Sequence, residues 1–480
     1  MTPQSTSSPI SLTDRLPQEL VEALLHLARA QGAEFAEVFG EYTVHTGFQL
    51  EENRLRTSSY QVSQGVGVRA ISGGQTGYAY ADGFSPADLR EAARVAARIA
   101  RDGTTNGAPI AFQVVDAPAP FTLAAPAPSA LGPEAKIALV RRANDRARSH
   151  DPRIHEVWVG LADSSKSFVV ANSDGLWAED RAYLTRLTVT ALALDGTERQ
   201  SSFAAAGGSI EADYFDRVRT PEKVADEAAG SAITLLSARE PEAGSWPVVV
   251  APGWGGVMVH ECFGHSMEGD TIRKQTSIRA SQLGQQVASR GVTIVDSGVV
   301  PHSRGSFRVD DEGTPAQRTV LVEDGILTGY MWDLLNARLT GQRPTGNGRR
   351  ASYREFPLCR MTNTYIEPGP HTPEELIAGV KRGIYCKSLG GGSVNPADGN
   401  FSFQVTEAVA IEQGKLTYPI RNATLAGNGN DAMLKIDAVA SDLLIDGTTG
   451  SCGKDGQWKP VGVGQPTVRF TAITVGGTAT

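Results

Sequence analysis

The segment His260-Glu261-Cys262-Phe263-Gly264-His265 sets two imidazoles five residues apart, a spacing that constrains the local fold more than any other feature of the chain. Two histidines can share a transition metal, and a carboxylate beside the first can take a proton from a nearby water. On an ideal α-helix, side chains four residues apart lie about 40° from each other, and side chains five apart about 140°. Both rings therefore face one point only if the helix widens into a π-turn or ends near Gly264. A glycine there tolerates either distortion. The plain alternative is two unrelated histidines on a regular helix. With only eight histidines in the chain, a chance pair flanking a glutamate is uncommon.

A chain of 480 residues is too long for one compact core, so two or three domains are expected. Its 40% hydrophobic and 20% charged content is that of an ordinary globular protein. A net charge of −8, with no basic run longer than pairs such as Arg349-Arg350, argues against a nucleic-acid partner. The amphipathic stretch Pro17 to Gln31, with Glu19 and Glu22, is not a signal peptide. No stretch approaches the 18 or so apolar residues of a membrane span. Cys262, Cys359, Cys386 and Cys452 are scattered, which suits reduced thiols or ligands better than disulfides. A cytoplasmic location is the expectation.

Residues 1–16, rich in Ser, Thr and Pro at their start, read as a disordered tail. A first α+β module is expected over 17–108. It has a helix from Pro17 to Gln31, strands Phe48–Leu55, Gly65–Ile71 and Thr76–Ala81, and a helix opened by Ser85-Pro86. A Pro- and Ala-rich linker over 109–133 precedes a second α+β module, 134–240. That module has a helix at Glu134–Arg148, strands at His155–Leu161, Ser167–Ala171 and Leu184–Leu194, and a helix opened by Thr220-Pro221. From 241 to 480 short hairpins dominate, notably Val320–Leu327 and Val409–Leu416, with one helix near 373–383 carrying a Thr372/Glu375 capping box. The expected class is α+β: two N-terminal α+β modules, then a large, mainly antiparallel β domain, barrel-like or sandwich-like.

A catalytic zinc wants three protein ligands and one open position, so a third must come from elsewhere in the chain. Cys262, two residues from His260, should point to another side of the helix. Cys359 and Cys386 have apolar or aromatic neighbours, which suits buried inert thiols. Cys452 lies in Gly450-Ser-Cys-Gly-Lys-Asp-Gly456, a pliable loop with a cation near the thiol. It reads equally as a ligand or as a small residue in a turn.

Ser451-Cys-Gly-Lys-Asp-Gly-Gln457 with Pro460–Pro466 resembles the C-terminal signature of the TldD branch of the TldD/PmbA family. The segments His260–Asp270, Val309-Asp-Asp-Glu-Gly313, Asn336–Leu339 with Pro344–Arg350, and Met361–Thr364 extend that resemblance over nearly all of residues 246–477. Residues 18–240 resemble the family's two N-terminal modules more loosely, through stretches such as Leu50–Gln64. Cys262 stands where Ala is commoner in the family.

The resemblance implies a zinc metallopeptidase with His260, His265 and Cys452 as ligands and Glu261 as the catalytic carboxylate. It also implies a partner chain of the metal-free PmbA (TldE) branch in a heterodimer, with a homodimer as the second possibility. The expected substrates are extended or unfolded polypeptides, including modified peptides undergoing maturation or leader removal. The competing function is a non-catalytic peptide-binding subunit, which the intact histidines, Glu261 and Cys452 disfavour. Glu268 and Asp270 could hydrogen-bond the outer nitrogen of a ligand histidine. Gly390, Gly391 and Gly392 could let a peptide approach a strand edge, and Arg349 and Arg350 could hold a substrate carboxylate. The acids Asp310, Asp311 and Glu312 before Gly313 read as a polar turn.

Overall fold

The computed structural model describes residues 12–100, 109–123, 125–395 and 397–477. Helix α1 (Gln18–Arg29) leads into strands β1 (Phe35–Glu51), β2 (Arg54–Ser72) and β3 (Gln75–Asp82), followed by α2 (Pro86–Ile99). The same helix–three strands–helix order recurs in α3 (Pro133–His150), β4 (Ile154–Asn172), β5 (Leu176–Asp195), β6 (Glu198–Gly208) and α4 (Pro221–Leu236). Proline in the first turn opens α2, α3 and α4, where a missing N–H costs nothing. Antiparallel pairing of β1 with β4 over Glu37–Glu51 fuses the two sets of strands into one sheet. Helices α1 and α2 bury Leu24, Leu25, Leu89 and Ala93 against β1–β3, and α3 and α4 bury Val140, Ala143, Val224 and Ala228 against β4–β6. The sheet's other face carries Glu37, Glu41, Arg69, Lys166 and Asp180, which is unusual for a surface so little exposed.

Three local expectations are corrected. Phe48–Leu55 is not one strand but the end of β1, a tight turn and the start of β2. Glu52 and Asn53 turn at φ 49° and 61°, and no glycine marks the place. The gap expected at residues 162–166 is continuous β4, because its charged residues find buried partners: Asp163 meets Lys136 at 2.7 Å and Lys166 meets Asp311 at 3.2 Å. Residues 1–11 lie outside the described residues, but Leu12 and Leu16 of the expected tail are buried in the α1/α2 core. In the expected linker, Gln113 and Val114 pair in parallel with Leu176 and Trp177.

The C-terminal part begins with β7 (Gly244–Val250), β8 (Ile294–Ser297), β9 (Arg318–Glu323) and β10 (Asn363–Ile366). It continues with β11 (Arg382–Val394), β12 (Asn400–Glu412), β13 (Lys415–Ile420), β14 (Ala423–Asn428) and β15 (Leu444–Asp446). The last strands are β16 (Ser451–Lys454), β17 (Gln457–Pro460), β18 (Gly462–Gln465) and β19 (Val468–Gly476). Strands β11, β7, β19, β14 and β12 close on one another as a five-stranded barrel, since β11 also pairs with β12. A second sheet runs β9-β8-β10-β18-β15. Both expected hairpins are present, and Thr372 and Glu375 form the capping box. Among the described residues, no helix is long and apolar enough to cross a membrane.

The acids read as a polar turn are instead buried at the joint between the two halves: Asp310, Asp311 and Glu312 are 1%, 6% and 1% exposed. Asp310 accepts from the backbone N–H groups of Glu312, Thr314 and Gly348 at 2.9 Å each, satisfying its carboxyl oxygens with no cation. Glu312 meets Arg69 of β2 at 2.6 Å. Asp311 meets Lys166 of β4 at 3.2 Å, Lys459 of β17 at 2.9 Å and the Arg350 N–H at 2.8 Å. Burial opposes its charge, yet Lys166 and Lys459 hold the carboxyl well below the ordinary value of 3.8. Its folded pKa lies under the unfolded one, so its stabilisation is complete above about pH 4 and is lost as the pH falls further. Asp311→Asn should therefore cost about 3–5 kcal/mol at pH 7 in urea unfolding, since Lys459 loses its acid and Lys166 keeps only Glu41, at 3.4 Å. The difference from the parent chain should narrow below about pH 4.

Candidate metal centre

The chain enters the site through a short helical run, Val257–Val259, then widens into a π-turn over His260–Gly264 and tightens to a 3₁₀ turn over His265–Met267. The widening removes the angular mismatch of the five-residue spacing. The two imidazoles come to 5.5 Å between ring centroids with their planes at 80°. Gly264 is required for a different reason from the one expected. Its φ is an ordinary −53°, but a Cβ there would lie 1.8 Å from the Met361 Sδ. Only a glycine lets the π-turn sit down on Met361.

Cys452 arrives on β16, paired with β17 through a tight turn at Asp455 and Gly456, both at positive φ. Its Sγ lies 3.3 Å from His265 Nε2, and the potential ligand atoms of His260, His265 and Cys452 all lie within 4.8 Å of one another. Residues nearly two hundred positions apart thus meet as two nitrogens and a sulfur. Burial disfavours the thiolate, but the two imidazoles outweigh it and bring the thiol down to about 4. Cys262 points instead into the apolar core, where burial pushes its thiol up to about 12. His260 Nδ1 is buried with no hydrogen-bond partner among the described residues. An orphaned nitrogen, a low thiol and an N₂S donor set fit a zinc ion better than a closed hydrogen-bond network.

Glu261, between the histidines and half-buried, has its carboxyl raised above 4.5 by burial, against the pull of His260 and His265. Glu268 Oε2 lies 3.3 Å from His265 Nδ1, which leaves Nε2 facing Cys452. Asp270 touches neither histidine and reaches the site through Lys454, whose Nζ donates to Glu268 at 2.9 Å and to Asp270 at 2.6 Å. The Lys454 cation is therefore spent on these acids and not on the Cys452 thiol, contrary to the reading of the loop. Arg360 Nη2 donates to the Cys452 carbonyl at 2.6 Å. Arg360 did not stand out in the sequence, and Met361 only as the start of a segment that resembles the family, because nothing in their neighbours marks a contact made across the fold.

The other expected substrate residues lie away from the three donors. Arg349 donates to the carbonyls of Met361 and Pro460, while Arg350 is buried against Glu37 and the Asp311 carbonyl. Both guanidinium groups are committed to the fold and are not available to a substrate carboxylate. Gly390 and Gly391 line a cavity of about 870 Å³ between β11 and β6, with Thr449 on its wall but none of the three donors. Gly392 is held against Phe403, where a Cβ would clash at 2.0 Å. Strand β7 pairs with β11 only over Ile384–Cys386, so that edge of β11 has no further strand partner among the described residues.

Three family models cover the chain in sequence: the PmbA/TldA metallopeptidase domain 1 over residues 36–100, the central domain over 126–236 and the C-terminal domain over 243–477. A metalloprotease TldD homolog of Haemophilus influenzae is 41% identical over 450 residues, 93% of each chain. A zinc metalloprotease TldD homolog of Saccharolobus solfataricus is 34% identical over 248 residues, 51% of this chain and 54% of its own. The crystal structure of TldE from Thermococcus kodakarensis superposes with a TM-score of 0.77 at 20% identity, covering 95% of this chain and 100% of that one, and so shares the fold. The fold and the match over all three segments define a metallopeptidase architecture. The chain belongs to the PmbA/TldD metallopeptidase family.

Lys454 fastens the Cys452 hairpin to the histidine segment through two buried acids, and a double-mutant cycle measures that tie. Lys454→Met should destabilise the chain by about 3 kcal/mol by leaving Glu268 and Asp270 without their cation. Adding Glu268→Gln should cost less than the sum of the two single changes, as followed by denaturant unfolding. Strict additivity would mean that the two side chains act independently.

Proposed function

We propose that this chain is a zinc-dependent peptidase that hydrolyses peptide bonds in extended or unfolded polypeptides. The observation that carries it is the meeting of His260, His265 and Cys452 with Glu261 beside them. A relative whose name includes zinc supports the choice of metal. His260, His265 and Cys452 would hold the ion, with Glu268 fixing the His265 ring through Nδ1. Zinc bound there would supply a Lewis acid that lowers the pKa of a water to about 7 and polarises the scissile carbonyl.

The chain's own residues do the rest. Glu261 accepts a proton from the attacking water and returns it to the leaving amine, and its raised carboxyl suits both halves of that exchange. The edge of β11 that has no further strand partner among the described residues, near Gly390 and Gly391, offers backbone groups to an extended peptide, which favours unfolded chains as substrates. A maturation or leader-removal role for small modified peptides suits the same requirement. The non-catalytic alternative would leave the N₂S cluster and its neighbouring carboxylate without a use. A reducing, cytoplasmic setting suits four cysteines that are all unpaired. Likeness to a TldE structure supports a heterodimer with a chain of that kind, with a homodimer second.

Glu261→Gln should keep stoichiometric zinc by elemental analysis while losing hydrolysis of an unstructured peptide by about 10²–10⁴-fold. His265→Ala or Cys452→Ala should lose metal and activity together. Near-parental turnover in Glu261→Gln would assign the base to another residue.

Assembly has its own measurement: mass by light scattering, and product mass spectra from an unfolded polypeptide, each with and without a TldE-type chain. The expected outcome is a two-chain particle with the higher activity. A fully active monomer indifferent to the second chain would refute both the heterodimer and the homodimer.

A further inference from the structure

Most cations lining the two cavities between the N-terminal sheet and the C-terminal part are matched by acids. Lys387 meets Glu407 at 2.5 Å, Lys459 meets Asp311 at 2.9 Å, and Arg219 pairs with Glu227. Arg304 of the smaller cavity is different, as is its neighbour Arg186, which lines neither; Arg349 also lacks an acid but gives its guanidinium to the carbonyls of Met361 and Pro460. Among the described residues, Arg304 directs Nη1 to a backbone carbonyl, that of Thr448 at 2.8 Å, and has no carboxylate at ion-pair distance. The Arg186 side chain forms no hydrogen bond or ion pair among those residues. Both side chains are half-buried.

Their placement follows from strand geometry. Asp180, Ala182 and Leu184 of β5 line a cavity of about 240 Å³, and Thr190 lines the larger one. Side chains alternate along a strand, so Arg186 shares their face, at a strand position between those that line the two cavities. Opposite Arg186 on β6 is Gly207, whose carbonyl accepts from Thr448 Oγ1. Thr448 in turn receives Arg304, which also lines the smaller cavity. Burial lowers Arg304 to about 10, and the like charge of Arg186 adds to the effect. Asp446 offsets part of this from beyond ion-pair distance, and two neighbouring guanidinium groups with no acid in direct contact are costly to hold half-buried unless an anion joins them. Thr448 stands four residues before Cys452, at most about 14 Å of extended chain. An anion at this pair would therefore lie within a few peptide units of the candidate metal centre.

A polypeptide supplies one kind of anion, the carboxylate, and the planar guanidinium fork matches it. We propose that Arg186 and Arg304 form a carboxylate-binding subsite that anchors the substrate chain a few residues from the scissile bond. The carboxylate is either an Asp or Glu side chain or the C-terminal α-carboxylate. This subsite rests on the peptidase reading given above, so its test reads binding and leaves hydrolysis to a separate assay.

The test uses the full-length chain carrying Glu261→Gln, so that bound peptides are not consumed. Three dye-labelled unstructured peptides of one sequence are titrated by fluorescence anisotropy. One is neutral, with an internal Gln and a C-terminal amide; one has Glu at the internal position; one has a free C-terminal carboxylate. At least one acidic peptide should bind about tenfold more tightly than the neutral one, and which one does so identifies the source of the carboxylate. Arg186→Gln should erase the difference between the acidic and neutral peptides, and Arg186→Lys should restore part of it. The Arg186 side chain holds no bond in the fold, so a thermal melt of Arg186→Gln should match its parent. Equal affinity for all three peptides, a preference that survives Arg186→Gln, or no binding of any peptide overturns the subsite. Cleavage of the neutral peptide by the chain with Glu261 intact, measured in parallel, would still support the peptidase reading in each of those cases.

Discussion

The Asp311 carboxylate receives Lys166 from the N-terminal sheet, Lys459 from the hairpin of Cys452, and the Arg350 N–H from the loop that follows β9 and its neighbours. Three parts of the chain therefore meet on one side chain. Its worth is geometric more than energetic. A buried ion pair returns little net stability over a well-packed apolar substitute, but leaving any one charge unmatched costs several kcal/mol. Few other alignments of sheet, loop and hairpin would satisfy all these groups at once. Lys459 stands directly opposite Cys452 in the hairpin, so whatever fixes Lys459 also fixes the thiol.

The hairpin is tied at its other end as well. Lys454 binds Glu268 and Asp270, which follow the histidines in sequence, and Arg360 holds the Cys452 carbonyl between the two ties. The thiol thereby reaches 3.3 Å from His265 Nε2 through protein contacts alone. The three donors are thus held by contacts that lie outside the donor set itself.

The sequence was most legible where the chemistry is local. The five-residue spacing of the histidines collides with helical geometry, and the collision itself announces a π-turn. Proline-opened helices and the Thr372 capping box could be read for the same reason. Residues whose state is decided elsewhere could not. Asp310-Asp311-Glu312 looks like a solvated turn because nothing nearby says that Arg69, Lys166 and Lys459 will surround it. The polar stretch at 162–166 looks like a break for the same reason, since Asp163 waits on Lys136. Arg349 and Arg350 look available only until Met361, Pro460 and Glu37 are seen to take them. Buried charge is a property of pairs, and the partners here are separated by tens to hundreds of residues.

Two glutamates in the same short segment show how that pairing divides labour. Glu261 and Glu268 are both shielded from water, which raises the cost of either charge. Burial prevails at Glu261, and its carboxyl rises. At Glu268 burial is outweighed by Lys454 and His265, and the carboxyl falls to about 2. The difference arises from the hairpin, because it brings Lys454 to one glutamate and only the Cys452 sulfur near the other. A carboxylate that stays ionised suits the fixed partner of an imidazole, and one that takes up a proton more readily suits proton transfer. Environments that push two like groups apart are the usual physical mark of a divided acid–base site. One hairpin thus brings the Cys452 sulfur to the histidines and also sets the two carboxyls apart.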